Sequence, residues 1–257
     1  MSYLVVLAVA FVASGLTFFS GFGLGTLLLP AFALFFPVER AVALTAVVHF
    51  VNGLFKLALV ARHADLQIVL RFGVPALLAS LAGAWLLLWL SDIGPLFDYS
   101  LFGRTASVTP VKLVVGLLLF VFGLADLVPR LREVSFGRGY LPLGGALSGF
   151  FGGLSGMQGA LRSAFLARAD LSKEAFIATG VAVACLIDVS RLGVYSRSLG
   201  REGAHLDYWL LVGAVLAAFA GSVLGNRFLK TMTMRGVRLI VAGMLLFIAI
   251  GLAAGVL

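Results

Sequence analysis

An arginine that follows a glycine break in an apolar run marks the chemistry that this sequence offers. Residues 148–165 read Ser-Gly-Phe-Phe-Gly-Gly-Leu-Ser-Gly-Met-Gln-Gly-Ala-Leu-Arg-Ser-Ala-Phe, and Arg162 stands about one helical turn beyond the break. An arginine in apolar surroundings is costly unless a negative charge offsets it, and a guanidinium binds oxyanions through several N–H groups. Ser155 and Gln158 add neutral donors beside it. The pattern predicts a binding site for a small anionic substrate.

A second glycine break lies near the start of the chain. Ser14-Gly15 matches Ser148-Gly149, and with one gap Ser20-Gly21 matches Ser155-Gly156. A half-helix that begins at such a break directs free backbone N–H groups and the positive end of its dipole toward the middle of the membrane, where they favour an anion. The alternative is that the glycines only allow close helix packing. The residues predicted to bind the substrate at the two breaks are Ser20, Gly21, Gly23, Gly25, Ser155, Gly156, Gln158, Gly159 and Arg162.

Polar residues on a neighbouring predicted helix extend this site. His49, Asn52 and Lys56 are spaced i, i+3 and i+7 and therefore share one helix face, and Lys56 has a counterpart, Arg191, in the second half of the chain. All four are candidates for substrate contact. For Lys56 and Arg191 the alternative is that their long side chains snorkel to the membrane surface. For His49 a hydrogen-bonded packing role is favoured over a proton relay.

Two acids are predicted to lie within the membrane. Asp126 or Asp188 forms a structural ion pair with Arg162 if no substrate anion does so. Asp188 also lies three residues before Arg191, within pairing distance on a helix. Asp126, Asp188 and His49 are the candidates for proton coupling. The single cysteine, Cys185, provides neither a disulfide nor a metal-ligand cluster, so no metal and no cofactor are expected.

The composition sets the surroundings of these residues. The chain is 61% hydrophobic and only 12% charged, with a mean hydropathy of +1.12, which is too apolar for a soluble globule. It predicts an all-α polytopic membrane protein embedded in a lipid bilayer. The formal charge of +8 is scattered over short connections, so no nucleic-acid partner is expected. The apolar spans leave enough surface for a homodimer.

The predicted elements occur twice in the same order. A hairpin over residues 3–36 precedes spans at 41–61, 72–90 and 111–128, and a hairpin over 140–167 precedes spans at 175–195, 208–228 and 237–257. The hairpin arms of roughly 10 to 16 residues are short for a crossing, which indicates half-helices. Two repeats, residues 1–130 and 139–257, are expected to form a single membrane domain. Residues 92–109 are expected to form an interfacial loop.

The lysines and arginines predict the orientation of the two repeats. Most of them fall on one face if each hairpin returns to the side on which it starts. Each half then crosses the membrane an odd number of times. The repeats are therefore predicted to be inverted relative to each other, with both chain termini on the extracytoplasmic side.

A protease is a rival interpretation of Ser155. Gly153-Leu154-Ser155-Gly156 resembles the Gly-x-Ser-Gly motif of the rhomboid intramembrane proteases over these four residues. A nucleophilic serine needs a histidine base, and the only histidine after Ser155 is His205, in a predicted loop. Because the Ser-Gly pair recurs in the first hairpin, duplication explains this serine better than catalysis does.

The two hairpins carry a family resemblance. The Ser-Gly-x-Gly-x-Gly stretch that leads to Pro30 and the run 153–163 resemble the sulfite exporter TauE/SafE family, also called the toluene sulfonate uptake permeases, and the resemblance covers the whole chain. It implies a bacterial inner-membrane carrier, not an enzyme, for sulfite, organosulfonates or related sulfur-containing anions. The second hairpin departs from the glycine-rich pattern with Met-Gln-Gly-Ala-Leu-Arg, which adds a cation suited to an acid group. The sequence therefore predicts a carrier that works by alternating access, with an anion channel as the alternative.

Overall fold

Helices form nearly all of the structure, a computed structural model that describes residues 2–20, 24–101, 103–132, 134–201, 208–228 and 234–257. The first half contains α1 (Ser2–Ser20), α2 (Leu24–Ala33), α3 (Val38–Val60), α4 (Leu66–Asp92), β1 (Phe97–Leu101), β2 (Arg104–Val108), α5 (Pro110–Leu127) and the short α6 (Pro129–Arg132). The second half contains α7 (Leu141–Ser155), α8 (Gly159–Leu166), α9 (Lys173–Arg201), α10 (Tyr208–Phe228) and α11 (Met234–Ala253). Short 3-10 turns at Ala61–His63 and Arg138–Tyr140 precede α4 and α7.

The helix boundaries follow from local capping residues. The Asp65 carboxylate accepts the Ile68 N–H at 3.0 Å at the start of α4, and the Thr109 hydroxyl accepts the Lys112 N–H at 3.3 Å at the start of α5. α7 ends at Gly156, whose φ of 78° is the left-handed conformation that glycine adopts without steric cost. These boundaries lie close to the predicted spans, so the order of elements is confirmed.

Within the part of the chain that the structure describes, three stretches are long and apolar enough to cross a membrane, namely Val38–His63, Leu66–Asp92 and Lys173–Ser196. The hairpin arms are shorter in α2, α7 and α8, which have 10, 15 and 8 residues. α2 and α7 have the predicted arm length, and α8 is shorter than predicted. The first arm is longer than predicted, because α1 has 19 residues and extends for about 28 Å.

Helices of the first half pack against helices of the second half. α1 packs along α10 and α4 packs along α7, while α3 contacts α9 and α5 contacts α11. The last two pairs run antiparallel. A Cβ atom added at Gly116 of α5 would lie 3.0 Å from the Ala249 oxygen, and one added at Gly123 would lie 3.1 Å from the Leu245 Cβ. Later residues of α5 therefore contact earlier residues of α11. Each of these four helix pairs joins one helix of the first half to one helix of the second half.

The glycines of α7 bring its backbone against that of α4. They are spaced four residues apart, on the face that contacts α4. Cβ atoms added at Gly145, Gly149 and Gly153 would lie 2.1, 2.0 and 2.1 Å from the carbonyl oxygens of Phe72, Ala76 and Ser80, respectively. Since no side chain fits into such a gap, these glycines serve close helix packing.

A β-hairpin replaces the loop that was expected between α4 and α5. β1 and β2 pair antiparallel from Phe97 with Val108 to Leu101 with Arg104. The Tyr99 hydroxyl donates to the Ala254 oxygen at 2.6 Å, and the Ser107 N–H donates to the Gly255 oxygen at 3.1 Å, so the hairpin holds the end of α11. The alternation of apolar and polar residues in β1 is a strand signal that predicts such a hairpin.

Candidate anion-binding site

Two glycines, one from each glycine-rich stretch, lie against each other inside the protein. The turn between α7 and α8 places Gly156 at the end of one half-helix and Gly159 at the start of the next. A Cβ atom added at Gly25, near the start of α2, would lie 3.2 Å from the Gly156 oxygen. Gly25, Gly156 and Gly159 are all buried. Gly21, Gly23 and the side chain of Ser20 lie outside the described residues.

A buried carboxylate organises the second break. Asp188 of α9 is 0% exposed, and its Oδ1 atom accepts the Arg191 Nε at 2.9 Å and the Gln158 Nε2 at 3.3 Å. Its Oδ2 atom lies 2.5 Å from the His49 Nδ1 of α3. Arg191 Nη2 lies 2.7 Å from Oδ1 as an ion-pair contact without hydrogen-bond alignment. Asp188 therefore joins α3, α9 and the α7–α8 turn.

Arg191 also holds the end of α7. Its Nη1 donates to the Gly152 oxygen at 3.2 Å, and the Tyr195 hydroxyl one turn later donates to the Gly153 oxygen. The last carbonyl groups of a helix lack partners within the helix and carry partial negative charge, so a cation stabilises them. Arg191 is 0% exposed, and the alternative that it snorkels to the membrane surface is therefore wrong.

Arg162 is placed differently from Arg191. It lies on the first turns of α8, where Nη1 donates to the Gln158 Oε1 at 3.2 Å. Among the described side chains Arg162 forms no ion pair, because the direct contacts of Asp188 go to His49, Gln158 and Arg191. The predicted alternative of a structural pair with Asp188 is therefore not what the structure has. The side chain of Asp126 lies outside the described residues.

Lys56 adds a second positive charge beside Arg162. Lys56 is 8% exposed and lies on the same face of α3 as His49, and its charge and that of Arg162 repel each other. The Asp188 carboxylate interacts electrostatically with Arg162 without direct contact. The positive charge of the group attracts anions, and low-dielectric surroundings strengthen that attraction.

Two of the predicted binding residues make structural contacts. The Asn52 Oδ1 accepts the Ser222 hydroxyl at 3.0 Å, and Ser222 in turn bonds Ser14 at 2.6 Å, which links α3, α10 and α1. The Ser155 hydroxyl donates to the Phe151 oxygen at 3.0 Å within its own helix. His205, the base that a serine protease would need, lies outside the described residues.

Several residues of the site were missed in the sequence. The Ser148 hydroxyl donates to the Gln158 oxygen at 3.0 Å and fixes the turn, and Tyr195 caps α7. The buried Thr45 hydroxyl has no hydrogen-bond partner among the described atoms and lies one turn before His49. The spacing of Thr45 from His49 and of Tyr195 from Arg191, four residues in each case, is the signal that finds them.

Fold and site together define a multi-pass membrane protein with a basic group of side chains where broken helices meet. The chain belongs to the sulfite exporter TauE/SafE family, whose model matches residues 6–252. This is a transporter family, and the chain is accordingly a transmembrane transport protein. No curated protein and no solved structure matches the chain.

Proposed function

We propose that the protein is a secondary carrier that moves a small sulfur-containing oxyanion, such as sulfite or an organosulfonate, across the bacterial inner membrane by alternating access. The observation that carries this proposal is the state of Arg162. Its guanidinium has a neutral hydrogen-bond acceptor and no ion pair among the described residues, next to a second cation. An arginine in a membrane protein is costly without a counter-charge, and a transported anion supplies it.

The geometry of a guanidinium suits the proposed substrate class. Sulfite and sulfonates present several oxygens on one sulfur atom, and the planar fork of an arginine donates two parallel hydrogen bonds to such a group. The N-terminal N–H groups of α8, from Gly159 onward, add donors and the positive end of a helix dipole. Lys56 contributes charge from the opposite helix, α3, without the directional preference of a guanidinium.

An inverted duplication provides the route for alternating access. We take residues 1–130 and 139–257 as the two repeats of one membrane domain, with both termini extracytoplasmic. The antiparallel contacts of α3 with α9 and of α5 with α11 support inversion, since these helices occupy equivalent places in the two repeats. Carriers built this way hold substrate between broken helices near the middle of the bilayer and rock one bundle against the other.

The proposal is tested by transport and binding in a matched pair of variants. Purified protein in liposomes is expected to take up methanesulfonate or sulfite saturably, with stimulation by substrate inside the vesicle. Arg162→Leu is expected to weaken binding by about tenfold or more, because a hydrogen bond to a charged group contributes about 1.5–3 kcal/mol. Arg168→Leu, at an exposed position just after α8, is the control and should bind normally. Equal affinity in Arg162→Leu and the unaltered protein rejects the site, and unitary currents in a planar bilayer identify a channel instead.

A further inference from the structure

We propose that His49 binds the proton that accompanies each substrate anion, which makes the carrier a proton–anion symporter. The inference rests on the proposed function, since it concerns the same anion site. When an anion occupies Arg162, His49 Nε2 takes up a proton from the water on the open side and forms an N–H bond. After the site opens to the other side, the anion leaves and the same proton returns to water there. A monovalent anion and a proton then cross together with no net charge moved.

The contacts of the imidazole ring leave one nitrogen for this role. Nδ1 lies 2.5 Å from the Asp188 carboxylate and carries the proton of that hydrogen bond in the neutral ring. Nε2 is then the free base. The Cδ2 atom beside Nε2 lies 3.8 Å from a Cβ atom added at Gly25, so this edge of the ring faces the point where the two glycine breaks meet. The His49 side chain is 11% exposed whereas that of Asp188 is 0% exposed, so the imidazole is the more accessible of the two groups.

A hydrogen-bond chain connects His49 to the anion site. Asp188 accepts from the Gln158 side-chain amide at 3.3 Å, and the oxygen of that same amide accepts from Arg162 at 3.2 Å. Gln158 thus orients toward both groups at once, donating to the carboxylate and accepting from the guanidinium. A bound anion and the imidazole consequently act on the same small group of polar side chains.

The balance of charge explains why the two binding events favour each other. Asp188 already neutralises Arg191, so an extra proton on His49 adds positive charge close to Arg162 and Lys56. That addition is unfavourable while the anion site is empty. An anion on Arg162 removes the excess, and by thermodynamic linkage a protonated His49 strengthens anion binding by the same factor.

The described part of the chain places few titratable groups near His49. Those on α9 are Asp188, Arg191 and Cys185, and the others are Arg162 on α8 and Lys56 on α3 itself. α2 contains no titratable side chain, and the titratable residues of α4, α5 and α10 lie toward the ends of those helices. Among these groups histidine is the one whose ordinary titration range falls near neutral pH.

Isothermal titration of purified protein with methanesulfonate, in buffers of different ionisation enthalpy, measures the protons taken up per anion bound. A sulfonate stays ionised throughout the range, so any uptake reports the protein. We expect about one proton per anion at about pH 7.5, and close to none in His49→Gln, whose amide still provides a donor to Asp188. His63→Gln, the same change at an exposed histidine, should behave as the unaltered protein.

The outcomes separate the two proposals. Methanesulfonate binding without proton uptake, or undiminished uptake in His49→Gln, overturns the role of His49 and leaves the carrier intact. If acetate binds and methanesulfonate does not, and proton uptake with acetate is abolished in His49→Gln, the role of His49 is supported and the sulfur-anion class is rejected. No binding by either anion rejects both proposals. If His49→Gln does not fold, vesicles of the unaltered protein decide: methanesulfonate entry that acidifies the interior and is insensitive to membrane potential supports symport, and entry without acidification overturns it.

Discussion

α3 and α9 occupy the same place in the two halves of the chain but treat their buried cations differently. Arg191 on α9 has an acid three residues earlier, Asp188, which binds it directly. Lys56 on α3 has a glycine at that position, Gly53, and its charge is repelled by that of Arg162. Arg191 is therefore paired with an acid of its own helix, whereas the position three residues before Lys56 provides no acid, and Lys56 adds positive charge near Arg162.

The difference shows how a duplicated element acquires two roles. The Arg191–Asp188 pair also bonds the Gly152 oxygen, His49 and Gln158. It therefore connects α9 to α7, to α3 and to the turn between α7 and α8. Lys56 lies close to Arg162, which forms no ion pair with a described residue. We therefore expect changes on α9 to affect stability first and changes on α3 to affect anion binding first.

The largest effect is expected for Arg191→Met. Removing one partner of a buried ion pair leaves an uncompensated charge on Asp188 and costs about 3–5 kcal/mol, to which the lost contact with the Gly152 oxygen adds. Reversible unfolding in detergent micelles measures the loss. Lys56→Met is the matched variant and should lose less, because it leaves the buried Asp188–Arg191 pair intact and removes a repulsion with Arg162. Equal losses in the two variants mean that the two helices do not differ as described.

An intermediate effect is expected for anion affinity in Lys56→Met. Loss of a positive charge beside Arg162 should weaken methanesulfonate binding about tenfold, or about 1.4 kcal/mol, while the protein stays folded. Lys173→Met, at an exposed position at the start of α9, provides the control. Titration calorimetry on both variants makes the comparison. Unchanged affinity in Lys56→Met assigns the whole anion site to Arg162 and the turn before α8.

Much of the fold follows from the sequence because apolar length and glycine breaks are local signals. The hairpins, the long spans and their order were predicted, and the glycine at the end of α7 explains where that arm stops. The β-hairpin was missed because Phe97 and Tyr99 look like membrane-surface aromatics when they stand in a polar connection. Its hold on Ala254 and Gly255 depends on residues about 150 positions away, a distance over which pattern carries no information.

The site was only partly predictable, for a related reason. Spacing on one helix identified His49 and Lys56, and the three-residue step identified the contact between Asp188 and Arg191. No single-helix pattern shows that Asp188 reaches His49 across the α3–α9 contact, or that Gln158 bridges Asp188 to Arg162. Whether Asp188 pairs with Arg162 or with Arg191 depends on these tertiary contacts, so the sequence left both alternatives open.

The smallest effect is expected at Gly53, where the two helices differ. A methyl group there would lie 3.0 Å from the Cys185 sulfur, so this close approach leaves little room for a counterpart of Asp188 on α3. Alanine in place of glycine in a helix raises the free energy of unfolding by up to about 1 kcal/mol. Gly53→Ala should not show this gain, because crowding against Cys185 offsets it. Gly193→Ala on α9, with nothing within 4 Å, should show the full gain.

Adding Cys185→Ala to Gly53→Ala should recover the gain, with a coupling of about 0.5 kcal/mol or more in the double-mutant cycle of unfolding free energies. Strict additivity of the two changes would mean that contact with α9 does not keep this position small, and the absence of an acid at position 53 would then need another cause.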